Sequence, residues 1–301
     1  MTAMVTMPPA TTERCRQLLQ RWRQDLRLTR REQGLLRGEL TLLDRQLQRL
    51  EHNVLRLAVF GRVGVGKSSL INALVGQRLL ETDVAHGSTR RQQAVTWPLK
   101  LDGLQKVELI DTPGIDEIDA AGRTRLATRV AMGVDLVLLV IDSDLTRCDR
   151  DALETLQASG KPVRLVLNRS DRWPEEQLPE LLASIRSRLP SDLPLTAVAA
   201  APRRPMLDAD GRVRSSAAPA RVSHLKQQLV DQFQREGELL LALQSLRLAD
   251  RFQQQRQHLR LQQHRRSAQG LIGRYAATKA TAVAVNPLMA LDLAGGLACD
   301  T

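Results

Sequence analysis

The chain has 301 residues, 26% of them charged, a formal net charge of +11 and only 2% aromatic side chains. That length allows roughly two domains, the charge suits an anionic partner, and the scarcity of rings excludes base stacking as a main mode of nucleic-acid binding. Cys15, Cys148 and Cys299 have neither metal-ligand nor redox spacing, which fits a reducing cytosol.

Residues 1–10 hold no basic stretch followed by an apolar one, so a disordered N-terminus without a secretory signal is expected. Residues 11–52 read as an amphipathic helical segment. A four-three spacing through Cys15, Leu19, Trp22, Leu26, Thr29, Gln33, Leu36, Leu40, Leu43, Leu47, Leu50 and Val54 makes a coiled-coil seam that wants a partner helix. Gly34 and Gly38, with polar Thr29 and Gln33 on the seam, predict a kink or a break near its middle.

Residues 53–200 carry the chemistry. Val54 to Phe60 reads as a buried parallel strand. Gly61-Arg62-Val63-Gly64-Val65-Gly66-Lys67-Ser68 follows it, and Ser69 opens a helical run that ends at Gly76. Glycines between a strand and a helix N-terminus let backbone N–H groups converge on a polyphosphate. In such a loop Lys67 reaches the β- and γ-phosphates and the Ser68 hydroxyl ligates Mg²⁺. Lys106 to Ile110 is another strand-like run, closed by Asp111-Thr112-Pro113-Gly114. Asp111 at the strand end can hold Mg²⁺ through water, and the Gly114 N–H can read the γ-phosphate. The strand Val163 to Leu167 leads to Asn168-Arg169-Ser170-Asp171. The Asp171 carboxylate can accept both guanine N1–H and the exocyclic amine, whereas adenine offers one donor and a misplaced acceptor, which favours GTP over ATP.

Residues 201–220, with Asp208-Ala209-Asp210-Gly211, read as a turn-rich loop. A long helix is predicted over 221–268, with Leu225, Leu229, Phe233, Leu240, Leu243, Leu248, Phe252 and Leu259 on one side. Paired with the 11–52 segment it makes a stalk within one chain or joins two copies; ordinary packing against the central domain is the alternative. Charge concentrates on these flanks: residues 11–52 carry +4 and 221–274 carry +6, against +2 over 53–220. Such helices can face anionic lipid headgroups or RNA. Residues 269–301 are nearly apolar from Ala280 but interrupted by Asn286, Pro287 and Asp292. An Asp in hydrocarbon costs about 2.5–3.5 kcal/mol, so a helical hairpin, a re-entrant element or a buried helix fits better than a straight span. Gly270-Leu271-Ile272-Gly273 matches the backbone-clamping loop of KH domains, yet neither flank offers the strands that such a domain needs.

From Gly61 to Gly114 the chain resembles the translation-factor class of P-loop GTPases, and within it the Era/TrmE-like bacterial proteins. The shared features are the glycine loop, the Leu70-Ile71-Asn72-Ala73-Leu74 helix, and Gly87-Ser88-Thr89-Arg90 where those proteins carry Thr-Thr-Arg. The resemblance implies an α/β P-loop GTPase fold, a mostly parallel sheet flanked by helices, with long N- and C-terminal helices added. It assigns Thr89 to switch I as a Mg²⁺ ligand, with Ser88 the competing candidate, and makes Lys67, Thr89 and Gly114 the catalytic set. It places the Ala199-Ala200 backbone at the last guanine contact.

Three departures matter. Arg169 replaces the usual Lys, and its planar guanidinium can still lie on a base face. Gly64 stands where potassium-stimulated members carry Asn. Ile115 stands where Ras-like proteins place a water-orienting Gln. Even with its Gln, Ras hydrolyses GTP at only about 10⁻⁴ s⁻¹, and a supplied arginine finger adds about 10³–10⁵ fold. Slow unaided turnover is therefore expected, with an activating partner or self-association completing the site. From about Leu246 onward, Asn286-Pro287 and Asp292-Leu293 resemble the start of a membrane-associated helical domain related to the bacterial inner-membrane YcjF proteins, so 269–301 is expected to be an incomplete membrane-associating domain. The expectation is a cytoplasmic, membrane-associated molecular switch hydrolysing GTP to GDP and phosphate with Mg²⁺. A ribosome- or RNA-linked assembly GTPase and a nucleotide-binding scaffold with negligible turnover are the alternatives.

Overall fold

The computed structural model describes residues 9–81, 92–116, 119–207 and 213–284. Three helices come first: α1 (Pro9–Asp25), α2 (Arg30–Leu35) and α3 (Arg37–Glu51). Then β1 (Val54–Gly61), α4 (Lys67–Val75), β2 (Gln93–Trp97), β3 (Lys106–Asp111), α5 (Ala120–Gly133), β4 (Leu136–Ile141), α6 (Arg147–Ala158), β5 (Val163–Leu167), α7 (Gln177–Arg186) and β6 (Leu195–Ala197) alternate. A hairpin of β7 (Arg203–Leu207) and β8 (Val213–Ala217) precedes α8 (Ser223–Ala284).

The six-stranded sheet has the order β2-β3-β1-β4-β5-β6. Only β2 runs antiparallel, pairing Gln93 with Asp111 through Trp97 with Val107. The other neighbours are parallel, as strands joined by helical crossovers must be. All six residues of β4 are buried, so a continuous apolar run replaces alternation there. On one face, Leu70, Ile71 and Leu74 of α4 pack with Leu55, Leu57 and Val59 of β1 and with Leu225, Leu229 and Phe233 of α8. On the other, Ala58 and Phe60 meet Val130 of α5, Leu153 and Leu156 of α6 and Ile185 of α7. Burying each large apolar side chain contributes about 1.5–3 kcal/mol.

The chain divides into two compact units, one of Met1–Leu26 with Thr41–Leu248 and the other of Arg27–Leu40 with Ala249–Thr301. Within the first, α3 is tied to the sheet by a buried ion pair between Arg49 and Asp135, 2.7 Å apart, and Gln46 donates to Ser245 of α8 at 3.1 Å. In the second, Glu32 is buried and accepts from Arg260 at 2.6 Å, which holds its carboxyl down at about 2.

Several expectations need correction. The break expected near the middle of residues 11–52 is present, at 26–29, and a second falls at Leu36 between Gly34 and Gly38, so the segment forms three helices. Thr29 caps α2 in a reciprocal pair with Glu32, and Leu36 ends it; Gly34 and Gly38 lie inside α2 and α3. Helix already begins at Pro9, within the segment expected to be disordered. The 201–220 loop contains the β7–β8 hairpin, whose Arg- and Ser-rich strands lack the apolar alternation that would have signalled them. The expected end of the long helix at 268 has no counterpart, because α8 continues to Ala284 through Gly270 and Gly273, which rules out a clamping loop there. The apolar residues of α8 from Leu225 to Leu240 cover the sheet, so ordinary core packing accounts for them. Among the described residues, no helix is long and apolar enough to cross a membrane.

Candidate functional site

The C-terminal ends of the parallel strands β1, β4 and β5, with β3 beside β1, gather the predicted groups in one crevice, as open α/β sheets do. β1 runs into the glycine loop with no slack. A Cβ on Gly61 would lie 2.3 Å from the Val140 carbonyl oxygen on β4, so only glycine fits. Gly66, at φ +89°, turns the chain into α4, and a Cβ there would strike the Asn168 amide nitrogen at 2.4 Å. Val65 is buried beneath the loop, Gly64 is exposed above it, and Ser69 sits half-buried in the first turn of α4. Lys67 is buried and folds back over the loop, donating to the carbonyls of Gly61 at 3.2 Å and Arg62 at 2.8 Å.

Ser68 Oγ donates to Asp111 Oδ2 at 2.6 Å. Asp111 ends β3 opposite Val59 and is almost completely buried, while its neighbour Thr112 anchors that end by donating to the Val59 carbonyl at 2.9 Å. A hydroxyl and a carboxylate oxygen, fixed beside a loop of backbone amides, form the hard-oxygen set that Mg²⁺ prefers. Gly114 is pressed onto the loop: a Cβ on it would lie 2.8 Å from Val63 N and 3.0 Å from Val63 Cα. Asp116 accepts a hydrogen bond from the Val63 N–H at 2.6 Å. Ile115 is fully buried, in the apolar cluster that also holds Ala127, Val130 and Ala131 of α5. Thr89 and Ser88 lie outside the described residues.

At the base end, Asn168 and Asp171 part company. Asn168 is buried; its amide donates to the carbonyls of Val65 at 2.9 Å and Gly66 at 3.4 Å, and its oxygen accepts from the Ala200 N–H at 3.1 Å. It binds the phosphate loop to the loop after β6. Asp171 is exposed in a short 3₁₀ turn, Ser170–Arg172. Ala199 and Ala200 are buried, and the Ala199 N–H is used by the Arg221 carbonyl at 3.2 Å, so both amides expected to face guanine have partners inside the chain. Arg169 adopts φ 59° and donates to Asp142 at 2.9 Å. Arg62 donates to the same carboxylate at 3.0 Å and to Asp149 at 3.2 Å. Burial disfavours the Arg62 charge, but Asp149 and Asp142 outweigh it and hold the guanidinium above its usual range. Asp142, Asp149, Asp116 and Thr112 escaped the sequence reading. For Asp142 the signal existed, an acidic residue ending an apolar strand at the same level as Asn168.

Residues 56–169 match the sequence profile of the 50S ribosome-binding GTPase family, and residues 247–301 match a domain of unknown function (DUF697). GTPase Der of Rhizobium johnstonii is 43% identical over 121 residues, which is 38% of this chain and 25% of that protein. GTPase Era of Synechocystis is 38% identical over 135 residues, 42% of this chain and 41% of that protein. The matched stretches thus span less than half of either relative. A solved structure of Aquifex aeolicus Era bound to GDP·AlF₄⁻ is 21% identical over 60% of this chain and 56% of its own, with a TM-score of 0.47. Between residues 56 and 169 the chain therefore has a P-loop GTPase fold similar to these proteins, and residues 247–301 are similar to a domain of undetermined role.

Proposed function

We propose that this protein is a nucleotide-state switch that hydrolyses GTP to GDP and phosphate, slowly by itself, and that it works at an anionic membrane surface. The observation carrying the first half is the Ser68–Asp111 contact at the mouth of the glycine loop, where oxygen ligands meet converging amides. Ser68 and Asp111, with Thr89, would hold Mg²⁺, whose charge would offset that of the phosphates. The loop amides and Lys67 bind the polyphosphate, the Gly114 N–H reads its end, and Asp171 selects guanine. The burial of Ile115 leaves that position with no side chain to orient water, so slow unaided turnover follows.

The membrane half is supported by residues 251–284, which carry seven Lys or Arg and no acid. Leu261, Leu271, Ile272 and Tyr275 are exposed along the same helix, a composition suited to anionic headgroups. Titration calorimetry with Mg²⁺ should show heat with GDP and GTP and none with ADP or ATP. Equal response to adenine nucleotides, or none to guanine, defeats the nucleotide reading, and binding without any single-turnover hydrolysis would leave a scaffold. Co-sedimentation with phosphatidylglycerol vesicles should fall at high salt and on I272D substitution; salt-independent or absent binding defeats the membrane reading. The family description of residues 56–169 favours a second reading, docking on the large ribosomal subunit through the basic helices. Co-sedimentation with purified 50S subunits in GTPγS, against GDP, decides it.

A further inference from the structure

A run of charges joins the two ends of the crevice. Asp142 follows β4 directly and so emerges at the same sheet end as the glycine loop. Its two oxygens serve different partners, Oδ1 accepting from Arg62 Nη2 at 3.0 Å and Oδ2 from Arg169 Nη1 at 2.9 Å. Arg62 is braced on its other side by Asp149, 3.2 Å from its Nε. Asp149 is fully buried and itself locked by a reciprocal cap with Thr146 at the start of α6. One guanidinium thus belongs to the phosphate loop and the other to the base-reading motif.

Arg169 also occupies the left-handed backbone region, uncommon for a residue with a Cβ. That conformation turns its side chain back toward Asp142 while Asp171, two residues on, stays exposed. Without the shared carboxylate the two guanidinium charges at the crevice would repel, and Arg169, unlike Arg62 with its brace on Asp149, would lose the contact that fixes its orientation.

We propose that Asp142 is a positioning residue for nucleotide binding, fixing the Arg169 guanidinium as a flat cationic platform for the purine and coupling that platform to the phosphate loop through Arg62. A planar cation held at an aromatic face gains more than a mobile one, because its side-chain entropy is already lost. The inference rests on the guanine-nucleotide reading of the crevice. It requires that base and phosphate recognition be lost together, with no dependence on the γ-phosphate.

The test is calorimetry on the full chain with GDP and GTPγS in Mg²⁺, comparing wild type with D142N, D142E, R169Q and the D142N/R169Q pair. D142N should weaken both nucleotides by one common factor, on the order of tenfold, and D142E should restore most of it. R169Q should weaken GDP similarly, and adding D142N should cost no more. Unchanged GDP affinity in D142N, a loss confined to the triphosphate, or multiplying effects of D142N and R169Q would overturn the proposal. Should D142N lower the nucleotide-free melting temperature, the same cycle measured where all four variants are folded still separates a positioning role from a purely structural one. Absence of guanine-nucleotide binding in the wild type would instead remove the underlying reading of the crevice.

Discussion

Asn168 and Asp171 belong to one sequence motif, and the structure gives them opposite duties that substitution can separate. Asn168→Ala strips the buried Val65 carbonyl and the Ala200 N–H of their partner and opens a small void above Gly66. An orphaned buried polar group costs about 1–3 kcal/mol, so two together with the void should lower stability by roughly 2–5 kcal/mol. Because the lost contacts join the phosphate loop to the base loop, affinity for GDP and GTPγS should fall by equal factors. Asp171 is exposed, so Asp171→Ala should change stability by no more than about 0.5 kcal/mol. It removes two hydrogen bonds to a charged acceptor, each worth about 1.5–3 kcal/mol, and GDP affinity should drop roughly 10²–10⁴ fold while ADP is unaffected. Asp171→Asn exchanges an acceptor for a donor and should turn preference toward xanthosine nucleotides, whose C2 carbonyl can accept it. Urea unfolding and calorimetry on the three variants provide the measurements. If Asn168→Ala keeps full stability while losing guanine selectivity, or Asp171→Ala unfolds the domain without altering the GDP to ADP ratio, the division of labour is wrong.

Other outcomes follow from single contacts. A Cβ at residue 114 would lie 2.8 Å from Val63 N, so in Gly114→Ala residue 114 should draw back from the phosphate loop, leaving GDP affinity within about threefold but weakening GTPγS by tenfold or more, equal losses being the refuting result. Phe233 is fully buried edge-on to Trp97, with ring centroids 6.4 Å apart, so Phe233→Ala should cost about 3–5 kcal/mol in urea unfolding, whereas exposed Leu271→Ala should cost under about 0.5. Burial pushes the Lys161 ammonium down to about 7, with Arg247 and Arg49 acting in the same direction and Asp135 against it. The unfolded chain then binds more protons than the folded one between pH 7 and the ordinary lysine value of 10.5, so stability rises with pH across that window and is flat, at its lower level, below it. Relative to Lys161→Met, the wild type should gain roughly 1.4 kcal/mol per pH unit there; a parallel pair of pH profiles would disprove the assignment.

Legibility followed the kind of interaction. The phosphate loop could be read because a helix N-terminus next to a strand needs glycines in a fixed register, and 61, 64 and 66 all take positive φ. Asp111 and Asn168 could be read because they end apolar strands, and sheet topology carries all such ends to one side. The role of Asn168 could not, since it depends on Val65 and Ala200, far away in sequence. Asp142 was missed for the same reason: its partners at 62 and 169 meet only after folding. The break in the N-terminal helices could be placed near Thr29, but the reciprocal cap Thr29–Glu32 that fixes where α2 starts, and so divides the segment in three, was not foreseen. The length of α8 was underestimated because Gly270 and Gly273, with open space beside them, weaken a helix without ending it.

The loop that frames the base also leads straight into α8. Ala199 and Arg221 exchange backbone hydrogen bonds at 3.2 and 2.8 Å, and Val222 enters the core one residue before the helix begins. Ala200 is tied through Asn168 to the phosphate loop, so glycine loop, base loop and the root of α8 share one hydrogen-bonded path. A ligand at a hundred times its Kd adds about 2.7 kcal/mol against any opening that destroys its site. Amides that exchange through such an opening, at 199–200, 221 and the first intrahelical donors near Lys226 to Phe233, should then slow about a hundredfold with GDP in peptide-resolved hydrogen exchange. Amides at 262–275, in the second unit, need no such opening and should keep their rates. Uniform slowing along all of α8 would mean that the helix opens as one body with the site. No slowing at 221–233 would mean that the base loop and the helix root open independently despite the bridge between them.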